Sequence, residues 1–150
     1  MDEHIFLMGK YEARILADRR YARNHMWAKW EGGAWRFGFS AYAVRLLQDV
    51  YFLDWHVDAG VELREKQEIG EIESSKAESS LYSPANGTLI EFNAAVLADP
   101  SAINVDSYGE GWLFSMAAAG GELLSAEQYL EHLADAWKVA ERTIKGQLNE

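Results

Sequence analysis

The middle of the chain is a series of short apolar segments separated by glycine-containing turns, and this pattern narrows the possible folds more than any other feature. Such spacing predicts several short strands packed as a sandwich or barrel, rather than strands alternating with helices. Two aromatic segments at residues 26–30 and 35–39 flank Gly32 and Gly33 and predict a hairpin. The core of the sheet region is expected from Ile69, Ile72, Leu81, Leu89, Ile90 and Phe92. We therefore expect a mainly β fold.

A short helix and further strands are predicted around this region. Ser40 precedes the helical segment 41–47 and can accept a hydrogen bond from a free backbone N–H of the first turn, so it predicts a capped helix that ends near Asp49. Residues 50–53 predict a buried strand, and residues 111–116 predict the last strand of the sheet region.

The C-terminal segment predicts an amphipathic helix. Ser125 and Gln128 have the spacing of a capping box. Apolar residues follow at helical spacing: Tyr129, Leu130, Leu133, Trp137, Ala140 and Ile144. We expect residues 121–150 to form a helix packed on a domain of residues 21–120, with residues 1–20 as an N-terminal extension of unassigned structure.

The charge balance restricts the partners. Lys and Arg number 14 against 24 Asp and Glu, which gives a formal charge of −10. Nucleic acid and anionic membranes would be repelled, so neither is an expected partner, and a basic protein surface is the natural one. The acidic N-terminus does not resemble a targeting signal, and no apolar run approaches the ~20 residues of a membrane helix. We expect a cytoplasmic protein.

Most kinds of catalytic and metal site have no support in the sequence. The chain has no cysteine, and its four histidines show no metal-ligand spacing, so no metal site is predicted. The serines 74, 75, 79 and 80 lack the surroundings of a nucleophile and are interpreted as solvated loop residues. Glu71 and Glu73 point the same way from one strand and predict an acidic face.

Lys76 is the best remaining candidate for a functional residue. Residues 68–84 begin as a strand, become small and polar around this lysine, and turn apolar again, which predicts a hairpin with Lys76 at its tip. Spacing alone does not distinguish it from an ordinary surface lysine paired with acidic neighbours.

The sequence around Lys76 resembles the lipoyl-lysine hairpin of the glycine cleavage system H-protein family. The similar segments are residues 73–77, residues 81–84 and the Asn86-Gly87 pair. Other positions that match motifs of that family are Tyr21, His25, Trp27, residues 38–43, residues 49–53, Asp99-Pro100, Asn104 and residues 108–112. The resemblance covers roughly residues 21 to 137.

The resemblance implies a barrel-sandwich hybrid of two small sheets, with short helices and the C-terminal helix. It implies a carrier protein, not an enzyme, with lipoate amide-linked to Lys76. A lipoate-attaching enzyme would read Glu73 and Gly87, and dihydrolipoamide dehydrogenase would be a partner. The absence of cysteine agrees with this, because the cofactor itself supplies the reactive dithiol.

The chain departs from glycine-cleaving members of the family in the expected arm groove, which we assign to His25, Met26 and Ser80. Those members have acidic residues at the positions of Met26 and Ser80. A carboxylate pocket would hold the cationic amine of the aminomethyl cargo. Ser75 also replaces the usual valine, and Glu78 a small or apolar residue.

Two carrier hypotheses and one other follow from these departures. Residues 19–27 and 63–70 resemble the lipoate-binding proteins of bacterial heterodisulfide reductase-like sulfur oxidation, so we favour that role, with a heterodisulfide reductase-like complex as partner. The alternative is a glycine cleavage H protein that shuttles the aminomethyl group between glycine cleavage enzymes. A further alternative is an unmodified interaction module, which predicts no lipoate on Lys76.

Overall fold

The computed structural model describes residues 2–148, and of residues 143–148 only the backbone. The chain forms eleven strands and four helices within that range. In order they are β1 (Glu3–Met8), β2 (Tyr11–Leu16), β3 (Arg20–Tyr21), β4 (Met26–Glu31), β5 (Ala34–Phe39), α1 (Ala41–Leu47), β6 (Val50–Trp55), β7 (Glu62–Leu63), β8 (Glu68–Ser74), β9 (Glu78–Tyr82), β10 (Gly87–Phe92), α2 (Ala94–Ala98), α3 (Ala102–Val105), β11 (Phe114–Ala118) and α4 (Ala126–Leu148).

Two antiparallel sheets enclose the main core. The larger has the strand order β3-β4-β5-β11-β10-β7, and the smaller has the order β6-β8-β9. Phe37, Phe114 and Leu89 from the larger sheet and Ile69 and Ile72 from the smaller are at most 1% exposed. This arrangement confirms the predicted mainly β fold with short helices and a C-terminal helix.

The aromatic hairpin of β4 and β5 forms as predicted. Gly32 and Gly33 make its turn with φ values of +60° and +84°, a backbone conformation that glycine adopts without strain. Gly38 faces Trp27 across the pair, and a Cβ at Gly38 would lie 2.6 Å from the indole ring. The absence of a side chain at Gly38 therefore lets Trp27 pack flat against the sheet.

The helix α1 confirms the predicted N-cap, because the Ser40 hydroxyl accepts a hydrogen bond from the backbone N–H of Ala43. The helix ends at Leu47 as predicted, and its C-cap is Gln48, with a φ of +62°, rather than Asp49.

The predictions for two strands were partly wrong. Only Val50 of residues 50–53 is buried, and Tyr51 is 61% exposed, because successive side chains of β6 point to opposite faces of the smaller sheet and only one face covers the core. The last strand is β11 and begins at Phe114, since Gly111 lies in the preceding turn and donates its N–H to the Asp106 carbonyl.

The N-terminal extension, for which the sequence predicts no structure, contains the β1–β2 hairpin. This hairpin is a two-stranded sheet of its own. Its Met8, Ala13 and Ile15 are buried in a second core with Tyr129 and Leu133 of α4. The first strand is therefore tied to the last helix.

The capping box that begins α4 is confirmed. The Ser125 hydroxyl accepts from the backbone N–H of Gln128, and the Gln128 side chain accepts from the backbone N–H of Ser125. Tyr129 and Leu133 are buried as predicted, whereas the side chain of Ile144 lies outside the described residues. Among the described helices, none is long and apolar enough to cross a membrane.

Candidate functional site

Lys76 is exposed in the turn between β8 and β9, and serines hold this turn on both sides. The Ser74 hydroxyl lies 3.1 Å from both the backbone nitrogen and the carbonyl oxygen of Ala77. Ser75 donates its N–H to the carbonyl of Asp49 at 2.9 Å, and its hydroxyl accepts from the Asp49 N–H at 3.1 Å. Ser74 is 5% exposed, so its interpretation as a solvated loop residue was wrong. The backbone on either side of Lys76 is fixed while its side chain is accessible.

His25, Met26 and Ser80 line one groove beside this turn, which we call the His25 groove. Its volume is about 310 Å³, and Ala77 brings it next to the hairpin tip. The rest of its wall is mostly apolar and includes Phe39, Ala43, Leu46, Leu47, Ile72 and Leu81. The three residues assigned from the sequence to an arm groove thus lie together, although Lys76 itself lines a different groove.

None of the described carboxylates lines the His25 groove, but one lies close to its rim. The Ser80 hydroxyl donates to Oε1 of the exposed Glu68 at 3.0 Å. Met26, by contrast, is 1% exposed and contributes its thioether side chain to the core below the groove. Met26 and Ser80, the positions where glycine-cleaving members of the family have acids, therefore differ. Ser80 adjoins a carboxylate, whereas Met26 is buried in apolar surroundings.

His25 is fixed by a hydroxyl from the C-terminal helix. Its Nδ1 lies 2.9 Å from the hydroxyl oxygen of Tyr129, and that oxygen lies 2.8 Å from the hydroxyl of the buried Ser40. Burial, and secondarily the neighbouring His132, lowers the pKa of His25 from 6.5 to about 4. His25 is consequently neutral at pH 7, and the described residues give the groove no charged side chain.

Glu73 belongs to an acidic groove, which adjoins the His25 groove and shares Ser79 and Ser80 with it. It is half-buried and lies directly opposite Glu78 in the strand register, and both line this groove with Glu71. The three carboxylates give this groove a negative potential, in agreement with the acidic face predicted from the sequence.

Gly87 has a packing role that the sequence did not indicate. It is the first residue of β10 and pairs with Ala118, and a Cβ at this position would collide with the carbonyl oxygen of Ala117. A glycine is therefore required by close strand packing, whether or not an enzyme reads it.

A histidine and two carboxylates meet on the exposed face of the smaller sheet. His56 Nε2 lies 3.5 Å from Asp54 Oδ2 and 3.9 Å from Glu71 Oε1. All three side chains are exposed, and their distances are those of ion pairs that form when His56 is protonated.

Sequence reasoning missed the groups that support the site from a distance. The helical pattern identified Tyr129 as a core residue but gave no sign of its contact with His25, which is 104 residues away in the chain. Glu68 likewise reaches Ser80 across a strand pair that only the folded register defines.

Comparison with known proteins identifies the family. A family model described as "Glycine cleavage H-protein" matches residues 19–142 of the chain. The chain belongs to the glycine cleavage H-protein family.

Relatives and a solved structure agree with this assignment. The glycine cleavage system H protein of Beutenbergia cavernae is 41% identical over 116 residues, covering 77% of this chain and 93% of that protein. The H protein of Stenotrophomonas maltophilia is 36% identical over 128 residues, covering 82% and 97%. The crystal structure of a glycine cleavage system H protein from Mycobacterium marinum matches with a TM-score of 0.71 and 35% identity, covering 80% of this chain and 99% of that one.

Glycine cleavage H proteins carry lipoate covalently attached to a lysine and act as carriers rather than catalysts. This chain is accordingly a lipoyl carrier protein and not an enzyme. The β1–β2 hairpin lies before the first residue that the family model matches.

Proposed function

We propose that Lys76 is the lipoyl attachment site and that the chain shuttles cargo between partner enzymes on this arm. The observation that carries the proposal is an exposed lysine in a turn that Ser74 and Ser75 hold by hydrogen bonds on both sides. An attaching enzyme can reach one side chain there without unfolding the hairpin. Once attached, lipoate supplies the dithiol that the cysteine-free chain lacks.

Glu73 and Gly87 are the residues that we propose the lipoate-attaching enzyme reads. Glu73 is two strand positions beyond Glu71 on the acidic side of the hairpin, where an enzyme bound at Lys76 would meet it. Gly87 has the separate packing requirement described above, so its part in recognition must be tested apart from its part in stability.

The cargo that the relatives favour is the aminomethyl group of glycine cleavage. Both relatives named above carry that function in their names, and Glu68 places a carboxylate 3.0 Å from the Ser80 hydroxyl at the groove rim. We propose glycine cleavage enzymes and dihydrolipoamide dehydrogenase as the partners in this role. The net charge of −10 favours basic docking surfaces on them.

One observation keeps sulfur oxidation as a second candidate. Among the described residues, the wall of the His25 groove has no carboxylate and is mostly apolar, which suits a neutral or sulfur-containing adduct better than a cationic amine. A heterodisulfide reductase-like complex would be the partner in that case.

Co-expression with a lipoate ligase tests the attachment site. Intact-mass analysis should show one lipoyl adduct on the protein and none on Lys76→Arg. Lys66→Arg is the matched control, since Lys66 is also an exposed lysine in a turn, and it should keep the adduct. An adduct that survives Lys76→Arg would disprove the assignment, and an unmodified chain would favour the interaction-module hypothesis.

Reconstituted glycine exchange separates the two carrier roles. A glycine cleavage carrier should support exchange of the glycine carboxyl carbon with bicarbonate when the lipoylated protein is added to glycine decarboxylase. A sulfur-oxidation carrier should fail in this assay.

A further inference from the structure

Lys76 lines a second groove, which we call the Arg45 groove and which the N-terminal hairpin helps to build. Its volume is about 410 Å³. Its wall includes Met8 and Tyr11 of the hairpin, Arg45 and Leu46 of α1, Trp137 of α4, and Lys76. Because β1 and β2 lie outside the stretch matched by the family model, this groove is a feature of the chain that the family assignment does not explain.

Arg45 provides the charge of this groove. Its guanidinium carbon lies 3.3 Å from the centroid of the Tyr11 ring, a stacking contact that holds the side chain in place. Among the ion pairs of the described residues, none includes Arg45 or Lys76. Attachment of lipoate would convert the Lys76 amine to a neutral amide, which leaves Arg45 as the charged group of the wall.

Charged and titratable groups around the tip are arranged asymmetrically. Glu71, Glu73 and Glu78 line the acidic groove, which shares no lining residue with the Arg45 groove, and Asp49 is bonded through its backbone to Ser75. On the side of the Arg45 groove, Lys10 lies 5.5 Å from the Tyr11 ring, as a further positive charge, and the Tyr11 hydroxyl is the remaining titratable group of the wall. An anion at the end of an arm on Lys76 is thus attracted to the Arg45 groove and repelled from the acidic groove.

We propose that the Arg45 groove is the docking site for the dithiol end of the lipoyl arm, and that Arg45 stabilises the thiolate of the reduced arm there. This inference rests on the proposed attachment of lipoate to Lys76. Met8, Leu46 and the rings of Tyr11 and Trp137 give the groove a largely apolar wall suited to the hydrocarbon and sulfur of the arm. A guanidinium beside a thiol favours its charged form and lowers its pKa, which increases the fraction of the nucleophilic thiolate at neutral pH.

The alkylation of the reduced arm tests the inference without any partner enzyme. The lipoylated protein, verified by intact mass, is reduced and treated with iodoacetamide across a pH series, and the midpoint of the rate profile gives the thiol pKa. Because the chain has no cysteine, every thiol in the sample belongs to the arm. The midpoint is the correct readout, since a thiolate of lower pKa is also intrinsically less nucleophilic.

We expect the midpoint for the protein to lie below that of free dihydrolipoamide in the same buffer, although the net charge of −10 alone would raise it. Arg45→Gln should return the midpoint to the free value or above it, and Arg45→Lys should restore part of the shift. Arg36→Gln is the matched control, because Arg36 also stacks on an aromatic ring, Trp112, at 4.2 Å but in another groove.

Two failures are distinguishable. A lipoylated protein whose midpoint equals or exceeds that of free dihydrolipoamide would overturn the inference and leave the carrier function intact. Absence of the adduct on a folded protein would overturn the carrier proposal itself. If Arg45→Gln does not fold, a salt series on the unsubstituted protein serves as the test. The midpoint should rise toward that of free dihydrolipoamide as the ionic strength increases, and a midpoint independent of salt would contradict the role of Arg45.

Discussion

The hydroxyl of Tyr129 lies 2.9 Å from Nδ1 of His25, so the C-terminal helix directly supports the wall of the His25 groove. The same hydroxyl lies 2.8 Å from the hydroxyl of Ser40, which caps α1. The Tyr129 ring stacks on Tyr21 with centroids 4.4 Å apart. One buried side chain of α4 therefore connects the groove, the start of α1 and the edge of the larger sheet.

Tyr129→Phe should lower the free energy of unfolding by about 1–3 kcal/mol, because it leaves the buried Ser40 hydroxyl and the His25 imidazole without this partner. Urea denaturation monitored by tryptophan fluorescence measures the change. Tyr51→Phe is the matched control, since Tyr51 is 61% exposed, and it should change stability by less than about 0.5 kcal/mol. Equal stabilities for the two variants would contradict the supporting role of Tyr129.

Because the pKa of His25 is depressed, the free energy of unfolding should decrease as the pH is lowered. The pKa of His25 is about 4 in the folded state against the ordinary value of 6.5 in the unfolded chain, so the folded state binds fewer protons between these pH values. Stability is complete above about pH 6.5 and falls as pH decreases, until the loss from His25 is fully present below about pH 4. At pH 5 this loss is about 2 kcal/mol relative to pH 7.

Comparison with His25→Asn isolates this contribution, because asparagine tolerates the φ of +72° at this position. The variant should lose about 2 kcal/mol less than the unsubstituted protein between pH 7 and pH 5. An NMR titration in which the His25 imidazole has its midpoint near 6.5 would disprove the assignment.

The fold was predictable where local chemistry decides it. The turn at Gly32 and Gly33 and the capping box at Ser125 depend on residues close in the chain, and both formed as expected. The exposure of Tyr51 was not predictable, because a continuous apolar segment does not show that one face of its strand is left in contact with solvent. The N-terminal hairpin was missed because its Met8 and Ile15 are buried by α4, more than 100 residues away.

The candidate site could be proposed from a motif, whereas its surroundings could not. Lys76 was singled out because a contiguous segment resembles a lipoyl hairpin, and its role as the attachment site stays a prediction. Glu68 and Arg45 were missed because they come close to Ser80 and Lys76 only through strand register and helix packing.

Gly87→Ala should destabilise the protein by about 1–3 kcal/mol, because its Cβ would collide with the carbonyl oxygen of Ala117 and force the β10–β11 pair apart. Thermal unfolding measures this. Gly121→Ala is the control, since a Cβ at Gly121 meets nothing within 4 Å, and its stability should be nearly unchanged. Lipoylation of Gly87→Ala, assayed below its unfolding transition, then reports recognition separately. An unchanged melting temperature for Gly87→Ala would contradict the packing requirement.

The Glu68 carboxylate at the rim of the His25 groove is the nearest described acid to Ser80 that is hydrogen-bonded to it. Placing acids at both Met26 and Ser80 is a poor test of how the amine is held. Met26 is 1% exposed, so Met26→Glu would bury a carboxylate among apolar side chains. Ser80→Asp alone would place two carboxylates side by side, since the Ser80 hydroxyl is 3.0 Å from Glu68. Glu68 itself is the residue to change.

If Glu68 holds the cationic amine of an aminomethyl cargo, Glu68→Gln should slow glycine exchange by about two- to fivefold, because an exposed charge pair contributes up to about 1 kcal/mol. The double variant Glu68→Gln with Ser80→Asp moves the carboxylate by one side chain and should recover most of the rate. Glu91→Gln, an exposed acid on β10, is the control and should leave the rate unchanged. A carrier that exchanges glycine equally well with and without the Glu68 carboxylate would show that the amine is held elsewhere, whereas no exchange by the unsubstituted protein would favour the sulfur-oxidation role.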